Sequence, residues 1–162
     1  LLCRLLWRKS STSKPNFTGT WLNTSYDGDP ARFYTAVGVA KGSLVMLEQE
    51  KYGIRKITHT IEMDAEAKTI TTKINWPKEM MVTNLIDGAD RVAVRVNAKG
   101  EPEGEEKYKA YWEVVKGAKG MALVVERSGS YSWRRYMVKA STMAVELDTG
   151  KGLVLTRYFE KV

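Results

Sequence analysis

Apolar and polar residues alternate along most of this chain, and a period of two restricts it to strands. Ile57, His59, Ile61 and Met63 fall on one face of an extended segment, with Thr58, Thr60 and Glu62 on the other. From Phe17 onward the pattern predicts ten strands, at 17–25, 54–63, 68–75, 80–86, 91–97, 107–116, 121–127, 130–139, 143–147 and 152–159. The separators DAEAK, DGAD, NAKGEPEG, KGAKG, RSGS and DTGKG are rich in Gly, Asn and Asp, which tolerate the positive φ of tight hairpins. Loops this short join antiparallel neighbours. Residues 29–46 break the pattern. They open with Asp29, a capping residue, and Pro30, suited to the first helical position, and they predict two short helices. A single long helix would carry Gly38 and Gly42 in its interior, each costing about 1 kcal/mol relative to Ala. The expectation is an all-β fold: a ten-stranded antiparallel up-and-down barrel, which leaves no exposed edge, with a short helix-turn-helix lid after the first strand. A barrel of this size holds one small ligand.

Composition narrows the function. Among 162 residues there is one cysteine, Cys3, so no intrachain disulfide forms and burial must supply the stability. No apolar run approaches the roughly 20 residues of a membrane-spanning helix, since Arg4 interrupts even the leucine-rich start. The net charge is +7, of which Arg4, Arg8, Lys9 and Lys14 contribute four with no acid before residue 17, leaving +3 for the remainder. That balance lacks the concentrated basic face of a nucleic-acid binder, and Trp76, Trp112 and Trp133 read as barrel core rather than base-stacking platforms. Transient contact with anionic membranes remains compatible with it. Residues 1–15 are expected to be a leader or disordered extension, with the barrel domain at 16–162. The leader resembles a transit peptide in composition, as would upstream sequence or a cloning remnant. A cytoplasmic location is expected, or an organelle if the leader is a targeting signal.

With one His and one Cys, no Ser-His-Asp triad, Cys-His pair or His/Cys metal cluster can be assembled. No metal or cofactor is expected. Glu101, Glu103, Glu105 and Glu106 read as a solvated loop without the Asp/Asn alternation of a calcium site. His59, flanked by Ile57 and Ile61, reads as a hydrogen-bonded core or cavity histidine.

The segment Phe17-Thr18-Gly19-Thr20-Trp21 has the spacing Phe-x-Gly-x-Trp. The segment 33–39, FYTAVGV, carries a Gly flanked by apolar residues within the helical interval, and the chain closes with Thr156-Arg157-Tyr158-Phe159-Glu160-Lys161. In order, spacing and terminus these resemble the intracellular lipid-binding proteins, the fatty acid-binding and cellular retinoid-binding family of the calycin superfamily. The resemblance implies a monomeric non-enzyme that binds and transports a fatty acid or similar hydrophobic carboxylate. The alternatives are a calycin-type barrel enzyme acting on a bound hydrophobe and a lipocalin-like carrier.

In that family a carboxylate is held inside the barrel by two Arg and a Tyr, and Arg135 and Arg157 match the two Arg. Read from parity alone, Arg157 either joins Leu153, Leu155 and Phe159 on the inner face or points outward with Tyr158 turned in; the resemblance implies the first. Arg134, of opposite parity to Arg135, then faces solvent. An Arg among apolar neighbours is costly to bury without an anion, and its planar fork suits a carboxylate. Phe159 stands where the family has Tyr, so its ring fills the space without the hydroxyl. Phe33, Tyr34 and Val37 on the lid and Met143, Val145 and Leu147 on the ninth strand are expected at the cavity or portal, or simply in the core. Residues 97–107 are expected to form an enlarged loop.

Overall fold

A computed structural model describes residues 12–162. Ten strands form one closed antiparallel ring in the order β1-β10-β9-β8-β7-β6-β5-β4-β3-β2. They are β1 (Gly19–Asp27), β2 (Thr58–Met63), β3 (Thr69–Ile74), β4 (Met80–Leu85), β5 (Asp90–Asn97), β6 (Pro102–Val114), β7 (Lys119–Arg127), β8 (Ser132–Lys139), β9 (Thr142–Asp148) and β10 (Val154–Lys161). Two helices, α1 (Pro30–Ala36) and α2 (Lys41–Gln49), follow β1 and are succeeded by one 3-10 turn, Lys51–Gly53. The all-β barrel with a lid after its first strand is therefore the observed fold. No helix of the described residues is long and apolar enough to cross a membrane.

The closed end is built from the N-terminal aromatic residues. Trp21 is buried and its indole N–H donates to the Phe17 carbonyl at 2.8 Å, while the Phe17 ring stacks 6.2 Å from Trp112. Phe17 precedes the strand rather than opening it, because its backbone N–H is turned to the Met63 sulfur. Contact with the barrel begins before the expected boundary at residue 16. The Met121 N–H donates to the Ser13 carbonyl at 2.8 Å, and a Cβ on Gly120, whose φ is +88°, would lie 2.7 Å from that oxygen. The part of the predicted leader before residue 12 lies outside the described residues.

At the other end the lid closes the mouth. Asp29 caps α1 through the Arg32 N–H at 3.0 Å with Pro30 at the helix start, as the sequence implies. Phe33 drops into the mouth, and its ring meets Tyr34 and Tyr131 edge-on at 5.6 and 5.5 Å. Gly38, at φ +88°, makes the left-handed turn between the helices. By contrast α2 buries no residue, leaving Val45 and Met46 half or more exposed.

Two boundaries differ from the sequence reading for physical reasons. Strand β2 starts at Thr58 rather than Ile54 because Tyr52, Gly53 and Arg55 all have positive φ, incompatible with a ladder. The expected enlarged loop at 97–107 is instead a tight turn followed by β6. The Asn97 side chain accepts from the Lys99 and Glu101 N–H groups at 2.9 and 3.0 Å, and pairing resumes at Pro102. Glu103, Glu105 and Glu106 are therefore strand residues. The β4–β5 junction is paired only through Met80↔Asn97 and Met81↔Val96; further from the mouth, the Tyr108 hydroxyl on β6 accepts the Leu85 N–H at 2.7 Å.

Candidate functional site

Three adjacent strands define the centre of the site. Val145 on β9 faces Arg135 on β8 and Arg157 on β10 in register, so the two arginines share one level of the barrel. Two strand spacings of about 4.8 Å separate their backbones by roughly 10 Å. Both side chains turn inward and are 2% and 4% exposed.

Neither guanidinium has an acidic partner among the described residues. Arg135 makes long contacts of 3.4 Å to the Thr72 hydroxyl and to His59 Nδ1, lies 4.8 Å over the Trp133 ring, and leaves its Nε without a partner. Burial pulls its pKa down from 12.5 to about 9, so it is cationic at neutral pH. Arg157 donates to the Asn23 side-chain oxygen at 2.9 Å and to the Tyr34 hydroxyl at 2.7 Å. Asn23 is fixed by a bulge in β1, where its amide donates to the Ser25 and Tyr158 carbonyls at 3.0 and 2.8 Å. That fully buried amide can therefore offer only its oxygen to Arg157.

His59, paired in register with Trp21, packs its ring 4.4 Å from Phe159. Burial, then the charges of Arg135 and Arg157, hold its imidazole well below the ordinary 6.5. It is neutral at pH 7, and the centre therefore carries two positive charges.

The cavity above these groups has a volume of about 270 Å³. Arg135, Arg157, Phe159, Tyr34, Val145 and Leu147 line it, together with apolar Ile57, Ile74, Trp76, Val82 and Trp133. The other three residues expected at the cavity or portal, or in the core, do not line the cavity itself. Met143, two positions below Val145, is buried in the packing of the closed end; Phe33 is a plug held by Tyr34 and Tyr131; and Val37, at the end of α1, packs on the core. Arg134 points outward and pairs with Glu146 at 2.6 Å.

Sequence reasoning did not find the Tyr34 hydroxyl as an Arg157 partner, nor Asn23 and Thr72. It also missed Arg95, Glu106 and Arg127, which line the upper cavity. Parity offered a signal for these last three: Arg95 shares a face with Ala93, Glu106 with Tyr108, and Arg127 with Val125.

The lidded barrel thus encloses a largely apolar cavity with two buried, acid-free guanidiniums at its base. Solved structures share the architecture. A fatty acid transporter, REP1-NXSQ, aligns with a TM-score of 0.63 at 20% identity over 90% of this chain and 95% of its own. Human cRBP IV aligns with a TM-score of 0.64 at 16% identity over 92% and 100%. The zebrafish ileal bile acid-binding protein complexed with cholic acid gives 0.55 at 17% over 90% and 98%. At these identities the likeness establishes the fold, which is that of the intracellular lipid-binding proteins. No family model and no curated protein matches the sequence.

Proposed function

We propose that this protein binds a fatty acid or similar hydrophobic carboxylate non-covalently inside the barrel and carries it through the aqueous phase of the cell. The carboxylate sits on Arg135 and Arg157. The observation that carries this reading is the pair of buried guanidiniums whose partners, Thr72, His59, Asn23 and Tyr34, are all neutral. Two buried charges of one sign without a counter-ion disfavour the empty state, and an entering carboxylate removes that penalty. The apolar lining takes the tail. The fold's presence in a fatty acid transporter and in a bile acid-binding protein holding cholic acid supports the same reading.

Replacing Arg135 or Arg157 with Gln is expected to weaken binding of a fluorescent fatty acid by roughly 2–5 kcal/mol, the range for truncating one side of a buried charged pair. The matching alcohol changes much less, and Arg134→Gln is the outward-facing control. Equal acid binding by the parent and Arg157→Gln would overturn the assignment.

Delivery follows from the lid, where exposed Val45 and Met46 lie on a helix that begins with exposed Lys41. Apolar side chains beside a cation suit an anionic membrane surface. Ligand transfer is expected to run faster to anionic than to neutral vesicles, with the difference reduced by salt. Equal rates at low salt would remove delivery by membrane contact.

A further inference from the structure

The upper cavity contains a second group of charges that the head-group site does not use. Arg95 on β5, Glu106 on β6 and Arg127 on β7 occupy inward positions on three consecutive strands and line the same cavity as Arg135 and Arg157. Arg127 Nη2 lies 2.5 Å from Glu106 Oε2, with their side chains 14% and 11% exposed, and the guanidinium stacks 5.1 Å from the Tyr131 ring. Together that pair is neutral.

Arg95 is left over. Among the described residues no carboxylate lies within ion-pair distance of it. Glu103, whose charge it feels, is engaged by Lys78 at 2.6 Å and by Asn97 at 3.3 Å. The Nε groups of Arg95 and Arg127 are both buried and donate to no partner. Unsatisfied buried N–H groups on charged side chains are disfavoured, and an anionic oxygen is the acceptor they suit. Four guanidiniums against one carboxylate give the cavity wall a net charge of +3, more than one carboxylate neutralises.

We propose that Arg95 and Arg127 form a second anion-binding subsite near the mouth, and that the preferred ligand is an apolar chain with a carboxylate at each end. This inference rests on the head-group reading for its first carboxylate. Register gives the span: Arg135 faces Leu123 on β7, and Arg127 lies four residues further toward the mouth. At about 3.3 Å per residue the two levels are roughly 13 Å apart, the reach of an extended chain of about ten to twelve carbons. A simple fatty acid of that length would press its terminal methyl against Arg95 and the Glu106–Arg127 pair, leaving their desolvation uncompensated. The diacid turns that mismatch into a hydrogen-bonded contact.

The test is calorimetric titration of dodecanoate and dodecanedioate at about pH 8, where both carboxyl groups are ionised. The parent is expected to bind the diacid more tightly, by roughly tenfold or more, and Arg95→Gln to bring that ratio to about threefold or less. Arg127→Lys, which keeps a cation for Glu106 but loses the planar fork, is the second variant and is expected to lower the ratio as well. Thermal midpoints establish that both variants fold. The proposal is overturned if the parent binds the two acids equally, or if both variants keep the parental ratio. Arg135→Gln is expected to weaken both acids together. If it leaves both affinities as they were, the head-group reading falls, while the ratio in Arg95→Gln still decides the second subsite.

Discussion

Replacing Arg135 with Met is expected to stabilise the ligand-free protein while destroying its affinity for acids. Burial lowers the guanidinium from 12.5 to about 9. At about 1.4 kcal/mol per pH unit, that difference corresponds to roughly 5 kcal/mol of unfavourable charge burial at neutral pH. Part is returned when Met forfeits the 3.4 Å contacts to Thr72 and His59 and the stacking on Trp133. The net gain expected is therefore roughly 1–4 kcal/mol, as when other buried ionic groups are replaced by apolar ones. For a chain of this size each kcal/mol moves the midpoint by roughly 2–4 °C, so a gain of about 2 kcal/mol is a rise of roughly 4–8 °C. Differential scanning calorimetry of delipidated parent and variant measures it. Titration with one fatty acid should then show the opposite sign, a loss of roughly 2–5 kcal/mol. A variant that is folded by circular dichroism yet melts several degrees below the parent would refute the reasoning, because Arg135 would then be a structural tie.

Three further outcomes are expected. Tyr34→Phe removes the hydroxyl that Arg157 Nη2 reaches at 2.7 Å and should change acid affinity with little change for the alcohol; because the lid hydroxyl holds the fork in place, the direction is a loss of about 1–2 kcal/mol, read by fluorescence titration. His59 is held below its ordinary pKa in the folded chain, so below about pH 6.5 the unfolded chain binds a proton that the folded one does not. Its contribution is complete above that pH and falls by about 1.4 kcal/mol per pH unit beneath it, until the folded ring protonates; urea unfolding of parent and His59→Gln at several pH values isolates that slope. Gly120→Ala places a Cβ 2.7 Å from the Ser13 carbonyl at a φ of +88° and should cost about 1–2 kcal/mol in the same assay.

The fold was legible because alternation is a local property. Ten strands, the capped lid helix and the glycine turn between the helices each need only neighbouring residues to be recognised. Parity places Arg157 on one face with Leu153, Leu155 and Phe159 but leaves open whether that face is the inner one; the resemblance implies the inward direction that Arg135 and Arg157 both take. What lay beyond both was cross-strand adjacency: nothing in the sequence near Arg157 indicates that a bulge 134 residues earlier presents Asn23, or that a lid tyrosine brings its hydroxyl to the same guanidinium. Residues 101–106 were misread for a related reason. A strand lining a charged cavity carries polar residues on both faces, which erases the apolar alternation and leaves a composition that looks like a loop. Glu106 facing inward toward Arg127, with Glu105 facing outward, is such a case.

The sparse pairing of β4 with β5 makes the barrel a hoop with one seam. The β3–β4 junction is laced by six registered pairs and the β5–β6 junction by seven, whereas two pairs and the Tyr108 hydroxyl hold the edge between them. With each hydrogen bond worth about 1 kcal/mol net, parting that edge costs only a few kcal/mol. Every other junction has at least four registered pairs, the β1–β2 and β7–β8 junctions being the next sparsest. The hoop is therefore weakest in backbone pairing at this seam. The 270 Å³ interior, which Met80 and Val82 of β4 and Arg95 of β5 help to line, is thus bounded on that side by the junction with the fewest registered pairs.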